Sequence, residues 1–302
     1  MAWFKRMALF AAVNIAIVVT VSIILNLLGV DRYQSAAGGL DHTALLAFCL
    51  VWGMVGSIIS LLISKAMAKW TMGIQMVNPD AGGREGDLFR TVQRLAKAAG
   101  LPKTPEVGIY PGMEVNAFAT GPTKSRALIA VSQGLLSSMD QGEVEGVIGH
   151  EIAHIANGDM VTMTLIQGVV NAFVMYIARV AAFAVSQFLR GNDEEGEGMG
   201  HLAYMLTVFV FEILFGIVGS LIVNWFSRHR EFRADAGGAR FAGRQNMVSA
   251  LQRLKTYSDR EDDTTAGMAT LKINHRRPKF LGLFATHPPL EERIARLQNF
   301  GV

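Results

Sequence analysis

Two stretches of this 302-residue chain carry no charge at all: residues 8–30, ALFAAVNIAIVVTVSIILNLLGV, and residues 43–64, TALLAFCLVWGMVGSIISLLIS. Each is long enough for the roughly 20 helical residues that cross a hydrocarbon core. Lys5 and Arg6 precede the first, but its apolar run is too long for a signal peptide and no small-residue cleavage site follows it, so a retained anchor is expected. Two further stretches, 161–189 and 201–226, are as long but interrupted, the earlier by Gln167, Asn171 and Arg179, the later by Glu212. A charge at mid-bilayer is rare unless it faces protein or water. Arg179 and Glu212 are therefore expected to pair across neighbouring helices; the alternative is that these two helices are partly buried in protein rather than facing lipid.

Outside these four predicted spans the period changes. In REGDLFRTVQRLAKAAGL (84–101), Leu88, Val92, Leu95 and Ala99 fall at helical spacing, and Gly100 with Pro102 supplies a stop. Three strand-like runs follow at 106–110, 116–120 and 127–132, separated by Pro111-Gly112 and Gly121-Pro122 turns, which predicts a small β-sheet. A further helix is predicted from Asp140 as N-cap, with Glu143 in the capping-box position, to an exit at Asn157-Gly158. The expected fold class is α+β, mainly α. Its expected organisation is a transmembrane hairpin at 1–64, a first soluble part at 65–160, a second hairpin at 161–226 and a second soluble part at 227–302.

Composition agrees with that picture. Hydrophobic residues make up 51% of the chain and charged residues only 18%, and the mean hydropathy is +0.30, as expected of a membrane protein with a soluble part. The formal charge of +3 is spread along the chain, with no basic stripe interleaved with aromatics, which argues against nucleic-acid binding. The basic residues orient the chain instead. Lys5 and Arg6 precede span one, Lys65 and Lys69 follow span two, and Arg228, Arg230 and Arg233 follow span four. The loops at 31–42 and 190–200 hold few basic residues, and the latter, RGNDEEGEGMG, is acidic and glycine-rich. The asymmetry places both termini and both soluble parts in the cytoplasm.

The single cysteine, Cys49, lies in an apolar run, so an internal disulfide and a cysteine-based zinc site are both excluded, leaving histidines and carboxylates as ligands. His150-Glu151-Ile152-Ala153-His154 has the spacing such a site needs. On a helix, positions 150 and 154 share one face about 6 Å apart, so their imidazoles converge on one Zn2+ ion. The ion supplies Lewis acidity and a more acidic water, and Glu151 is placed to take the proton as that water attacks a carbonyl. Glu231 and Asp235, four residues apart in NWFSRHREFRADAGGARFAG, also share a helix face. Glu231 is the expected third ligand, and Asp235 the acceptor that fixes the tautomer of a ligand imidazole. Taken alone, such a carboxylate pair would read as surface partners of Arg230, Arg233 and Arg240; its position beside a predicted span at the face that carries 150–154 favours the metal. His42, His201, His229 and His275 have no partner at ligand spacing and are read as surface or interfacial residues.

Four segments taken together, HEIAHIANGDMVTM, SRHREFRADA, NAFATG and THPPLEERI, with two spans before the first metal segment and two between the metal segments, resemble the bacterial HtpX-type membrane metalloproteases of the M48 family, relatives of the CAAX prenyl proteases. The resemblance runs over essentially the whole chain and implies a cytoplasmic zincin-like metalloprotease domain, one zinc held by His150, His154 and Glu231, and Glu151 as general base. It also implies a bacterial inner-membrane enzyme that cuts misfolded or damaged membrane proteins in quality control under stress. Asn116, Ala117 and Phe118 are expected where an edge strand could pair with an extended substrate. His287, ahead of Pro288-Pro289 at a predicted helix start, is a candidate transition-state donor or a structural residue. A CAAX-type processing protease would share this metal site but would need a chamber for a prenylated tail. A non-catalytic membrane scaffold would be expected to lack Glu151 or a ligand.

Overall fold

The computed structural model describes residue 15 and residues 17–27, 39–190, 200–266 and 286–299. Of the expected first span, residues 8–30, residue 15 and the apolar helix α1, Ile17–Leu27, lie within them. The acidic loop at 192–197 and His275 also lie outside them. The chain divides into two compact units, Met1–Ser60 with Met163–Val223, and Leu61–Thr162 with Asn224–Val302.

The first unit is all helix. Among the described residues three helices are long and apolar enough to cross a membrane: α2 (His42–Met72), α6 (Asp159–Arg190) and α7 (His201–Ala242). Outward residues such as Ile58, Phe173, Phe209 and Ile213 are large, apolar and exposed, a surface suited to hydrocarbon rather than water. Inside, α2 meets α6 at glycine: a Cβ added at Gly53 would lie 2.6 Å from the Gly168 carbonyl oxygen. Leu45, Cys49 and Ala172 are buried beside that crossing. Ala182 of α6 packs with Tyr204 and Val208 of α7. Arg179 and Glu212 do pair, Nη1 to Oε1 at 2.8 Å, and the guanidinium also donates to the Met175 carbonyl at 3.0 Å.

The second unit holds a mixed four-stranded sheet in the order β1-β2-β4-β3, with β1 Gln75–Met76, β2 Glu106–Tyr110, β3 Ala117–Thr120 and β4 Leu128–Ser132. β2 and β4 run parallel, Glu106 opposite Leu128, while β3 lies antiparallel to β4 as an edge strand. Every residue of β4 is buried, as expected of a central strand covered on both faces. Two helices cover the sheet: α3 (Gly83–Ala98) with Leu88, Val92 and Leu95, and α5 (Gln141–Asn157) with Ile148, Ile152 and Ile155, in one core with Val107, Ile129 and Val131. The limits of α5 are set by local chemistry. Asp140 and Glu143 form a reciprocal capping box, and Gly158 closes the helix in the left-handed region at φ 72°, a conformation glycine reaches without steric cost. The short α4 (Gln133–Ser138), a 3-10 turn at Lys124–Arg126, then α8 (Arg244–Ala266) and α9 (Leu290–Gln298), complete the described elements.

Candidate metal centre

The central residues come from α5 and the C-terminal part of α7, and small residues let those helices approach closely. A Cβ added at Gly149 would lie 2.8 Å from Ala242 Cβ, and one at Gly237 would lie 2.6 Å from Ala153 Cβ. At Gly238 an added Cβ would meet the backbone nitrogen of His150 at 3.0 Å. The run Ala-Gly-Gly-Ala after Asp235 therefore brings the 231–235 turn of α7 against the His-Glu-x-x-His turn of α5.

At that crossing one ligand atom from each of His150, His154 and Glu231 lies within 4.8 Å of the others, and all three residues are buried. His150 Nδ1 is 2.9 Å from Asp235 Oδ1, and His154 Nδ1 is 2.7 Å from Asp159 Oδ2. Ionised carboxylates only accept, so each Nδ1 carries its hydrogen, and in the neutral ring Nε2 is then a bare lone pair. The two Nε2 atoms face each other at 3.1 Å and stand 3.4 and 3.3 Å from the oxygens of Glu231. Glu231 Oε1 is buried without a hydrogen-bond partner. Lone pairs gathered in this way repel unless positive charge lies among them. Two imidazoles and one carboxylate form the donor set of catalytic zinc sites, so the residues fit a divalent cation.

Protons compete for the same place. Burial favours neutral imidazole, but the hydrogen bond to Asp159 and the adjacent Glu231 carboxylate outweigh it, and His154 is pushed up to about 9. His150 is raised in the same way by Asp235 and Glu231 against its own burial. Burial alone would raise Glu231, yet the adjacent imidazoles of His150, His154 and His287 hold it far below the ordinary carboxylate range. Asp235 is likewise lowered, with the hydrogen bonds of Arg293 and His150 overcoming burial.

A cavity of about 130 Å3 opens beside these groups, lined among others by His150, Glu151, Glu231, His287, Asn116 and Ala117. His287 is largely exposed, and its Nδ1 lies 2.8 Å from Glu231 Oε2. Phe118 is turned away by strand alternation and packs at a tilt on Tyr110, ring centroids 5.9 Å apart.

Two contributors were not singled out from sequence. Asp159, the first residue of α6, is brought back to His154 by the left-handed turn at Gly158, a placement invisible to helical spacing. Arg293 of α9 grips Asp235 with Nε and Nη2 at 2.8 and 2.6 Å, and its Nη1 lies 3.6 Å from Glu231. A signal for Arg293 did exist: it falls on the same face of α9 as Leu290, Ile294 and Leu297, which pack into the core, and a charge on such a face needs a buried partner.

The family model of peptidase family M48 matches residues 83–300. The chain is 51% identical over 301 residues to a Protease HtpX homolog of Bacillus licheniformis, covering 97% of this chain and 99% of that one. It is 50% identical over 303 residues to the homolog of Bacillus subtilis, with the same coverage, and 50% identical over 295 residues to Protease HtpX of Shewanella frigidimarina, covering 98% and 99%. Among solved structures, S. mikatae Ste24p aligns with a TM-score of 0.62 at 18% identity, over 98% of this chain but just under two thirds, 66%, of that one, a likeness of fold. The chain belongs to peptidase family M48, among its HtpX-type metallopeptidases.

Proposed function

We propose that the chain is an integral-membrane zinc endopeptidase that cuts misfolded or damaged membrane proteins at the cytoplasmic face of the bacterial inner membrane, as part of quality control under stress. The observation that carries the metal assignment is the convergence of two tautomer-locked imidazoles on a buried carboxylate, beside a cavity edged by a strand. His150, His154 and Glu231 hold the ion. When bound, zinc supplies Lewis acidity and lowers the pKa of water. Asp235 and Asp159 keep each imidazole in the tautomer whose Nε2 can ligate, and Arg293 keeps Asp235 ionised and aimed. Glu151, which lines the cavity, takes the proton from the attacking water and returns it to the leaving amine. Asn116 and Ala117, at the free edge of the sheet, accept an extended substrate by backbone pairing, so that many sequences can be cut. His287 donates a hydrogen bond to the charge that develops on the substrate carbonyl oxygen. The basic residues flanking the spans support the cytoplasmic orientation.

The test is zinc content together with cleavage of unfolded casein, and of an unfolded membrane protein in liposomes, with and without a chelator. One zinc per chain, with activity lost to the chelator and restored by zinc, is expected; cleavage indifferent to the chelator would overturn the mechanism. Equal efficiency on casein and on the embedded protein would remove the membrane-protein preference alone.

A further inference from the structure

The membrane unit contains a cavity of about 670 Å3 that has no part in the metal centre. Its lining is mixed: Ile17, Trp52, Met163, Val174 and Met175 are apolar, and polar or small residues break that lining on three helices. On α2, Gly53, Gly56, Ser57 and Ser60 line it; on α6, Thr164, Gln167 and Asn171; on α7, Glu212. Positions 53, 56, 57 and 60 form one face of a helix, as do 164, 167 and 171, so two polar stripes converge. Gln167 Nε2 donates to Asn171 Oδ1 at 2.8 Å while both side chains stay exposed. The glycine crossing of α2 and α6 brings the stripes together, since a Cβ at Gly53 would lie 2.6 Å from the Gly168 oxygen.

Polar groups inside hydrocarbon are costly, and they are found facing protein partners or cavities that hold polar matter. The lining chemistry narrows what that matter is. The polar groups among the lining residues are hydroxyls and amides, which both donate and accept, with a single carboxylate whose charge is met by Arg179 at 2.8 Å. No lysine or arginine is among the described residues that line the cavity, so nothing there would hold the phosphate of a lipid headgroup. Mixed uncharged donors and acceptors instead match peptide N–H and C=O groups. A transmembrane helix hides those groups within its own hydrogen bonds, whereas a helix broken inside the bilayer exposes them, each at a cost of several kcal/mol.

We propose that this cavity receives a locally unwound stretch of a client protein's transmembrane segment, so that the enzyme selects membrane proteins whose spans have lost their helical hydrogen bonds. The inference names a substrate class for the proposed protease; it rests on that reading for the cut but not for the binding.

The test uses the full-length chain in liposomes with two single-span reporters that share identical soluble tails. One has a continuous Ala-Leu span and the other an Ala-Leu span broken at its centre by Gly-Pro-Asn-Gly. A photocrosslinking amino acid at position 60, in a Glu151→Gln background that binds without cutting, should capture the broken span about tenfold more than the continuous one. In the active chain, Gln167→Leu with Asn171→Leu should slow cleavage of the broken-span reporter about tenfold, the worth of two lost hydrogen bonds, and leave casein cleavage unchanged. Equal capture of both spans, capture of phospholipid alone, or undiminished cleavage of the broken-span reporter would overturn the proposal. If the double variant also loses casein cleavage through damage to the fold, the capture ratio decides. A tenfold capture ratio in a chain that cleaves neither casein nor reporter would support this cavity while overturning the protease reading.

Discussion

Adding a single methyl group at Gly238 measures how far the metal centre depends on the close approach of α5 and α7. An added Cβ would lie 3.0 Å from the His150 nitrogen, 3.2 Å from its Cα and 2.9 Å from Met247 Sδ. The thioether can swing aside, but the α5 backbone must retreat by a few tenths of an ångström. Metal sites tolerate deviations of about 0.2 Å in ligand distance, so the His150 side of the site would be drawn out of range. Overpacking of this kind costs about 1–3 kcal/mol, against a helix-propensity gain for alanine of up to about 1 kcal/mol. Gly238→Ala is therefore expected to lose up to about 2 kcal/mol of stability and to bind zinc about tenfold more weakly, the equivalent of about 1.4 kcal/mol. Gly216→Ala, on the same helix with nothing within 4 Å of its added Cβ, should show only the propensity gain. Denaturant unfolding in detergent, with zinc titration against a competing chelator, reads both quantities. Unchanged zinc affinity and stability in Gly238→Ala would refute the dependence on helix approach.

Further outcomes follow from the same geometry. Glu151→Gln should keep its zinc and lose about two to four orders of magnitude in peptide cleavage, the range of general acid–base catalysis; near-normal turnover would remove Glu151 from the base role. Glu231→Gln should release most of the zinc, whereas Asp235→Asn should weaken it by about 10- to 100-fold; the reverse order in a zinc titration of folded protein would make Asp235 the third ligand. In metal-stripped protein His154 is held at about 9, above its ordinary 6.5. Its stabilising contribution is thus complete below pH 6.5 and lost as pH rises through 9, and the melting temperature should fall across that window. Zinc needs the unprotonated ring, so zinc affinity should rise over the same window; a flat affinity between pH 6.5 and 9 would contradict the shared use of that nitrogen.

The parts of this fold that were legible in sequence are those whose cause is local. Asp140, Glu143 and Gly158 carry the chemistry of both ends of α5 within the helix itself. The three long apolar helices announce themselves by hydropathy, and an arginine and a glutamate within them could be expected to meet. The strands at 106–110, 117–120 and 128–132 are short apolar runs between turn residues, but their order is not local: β4 lies between β2 and β3, and β1 is two exposed residues that become a strand only through β2. At the candidate metal centre His150, His154 and Glu231, whose ligand atoms converge, were readable from spacing. The groups that hold them were not, because Asp159 reaches His154 through a reversal of the chain and Arg293 reaches Asp235 from 58 residues away. The Gly237-Gly238 contact with α5 was equally hidden, since a glycine pair inside a helix reads as weak propensity until its neighbour is known.

The long sequence separation within the site also sets when it can exist during synthesis. Arg293, which clamps Asp235 behind His150, follows His150 by 143 residues. A ribosome adding about 5–20 residues per second needs on the order of ten seconds to cover that distance. Over that interval α6 and the apolar part of α7 are synthesised while the two histidines of α5 still lack Glu231 or its supporting arginine. The order of the segments along the chain therefore acts as a timer: the pieces of the candidate site can join only after α6 and the apolar part of α7 have been made.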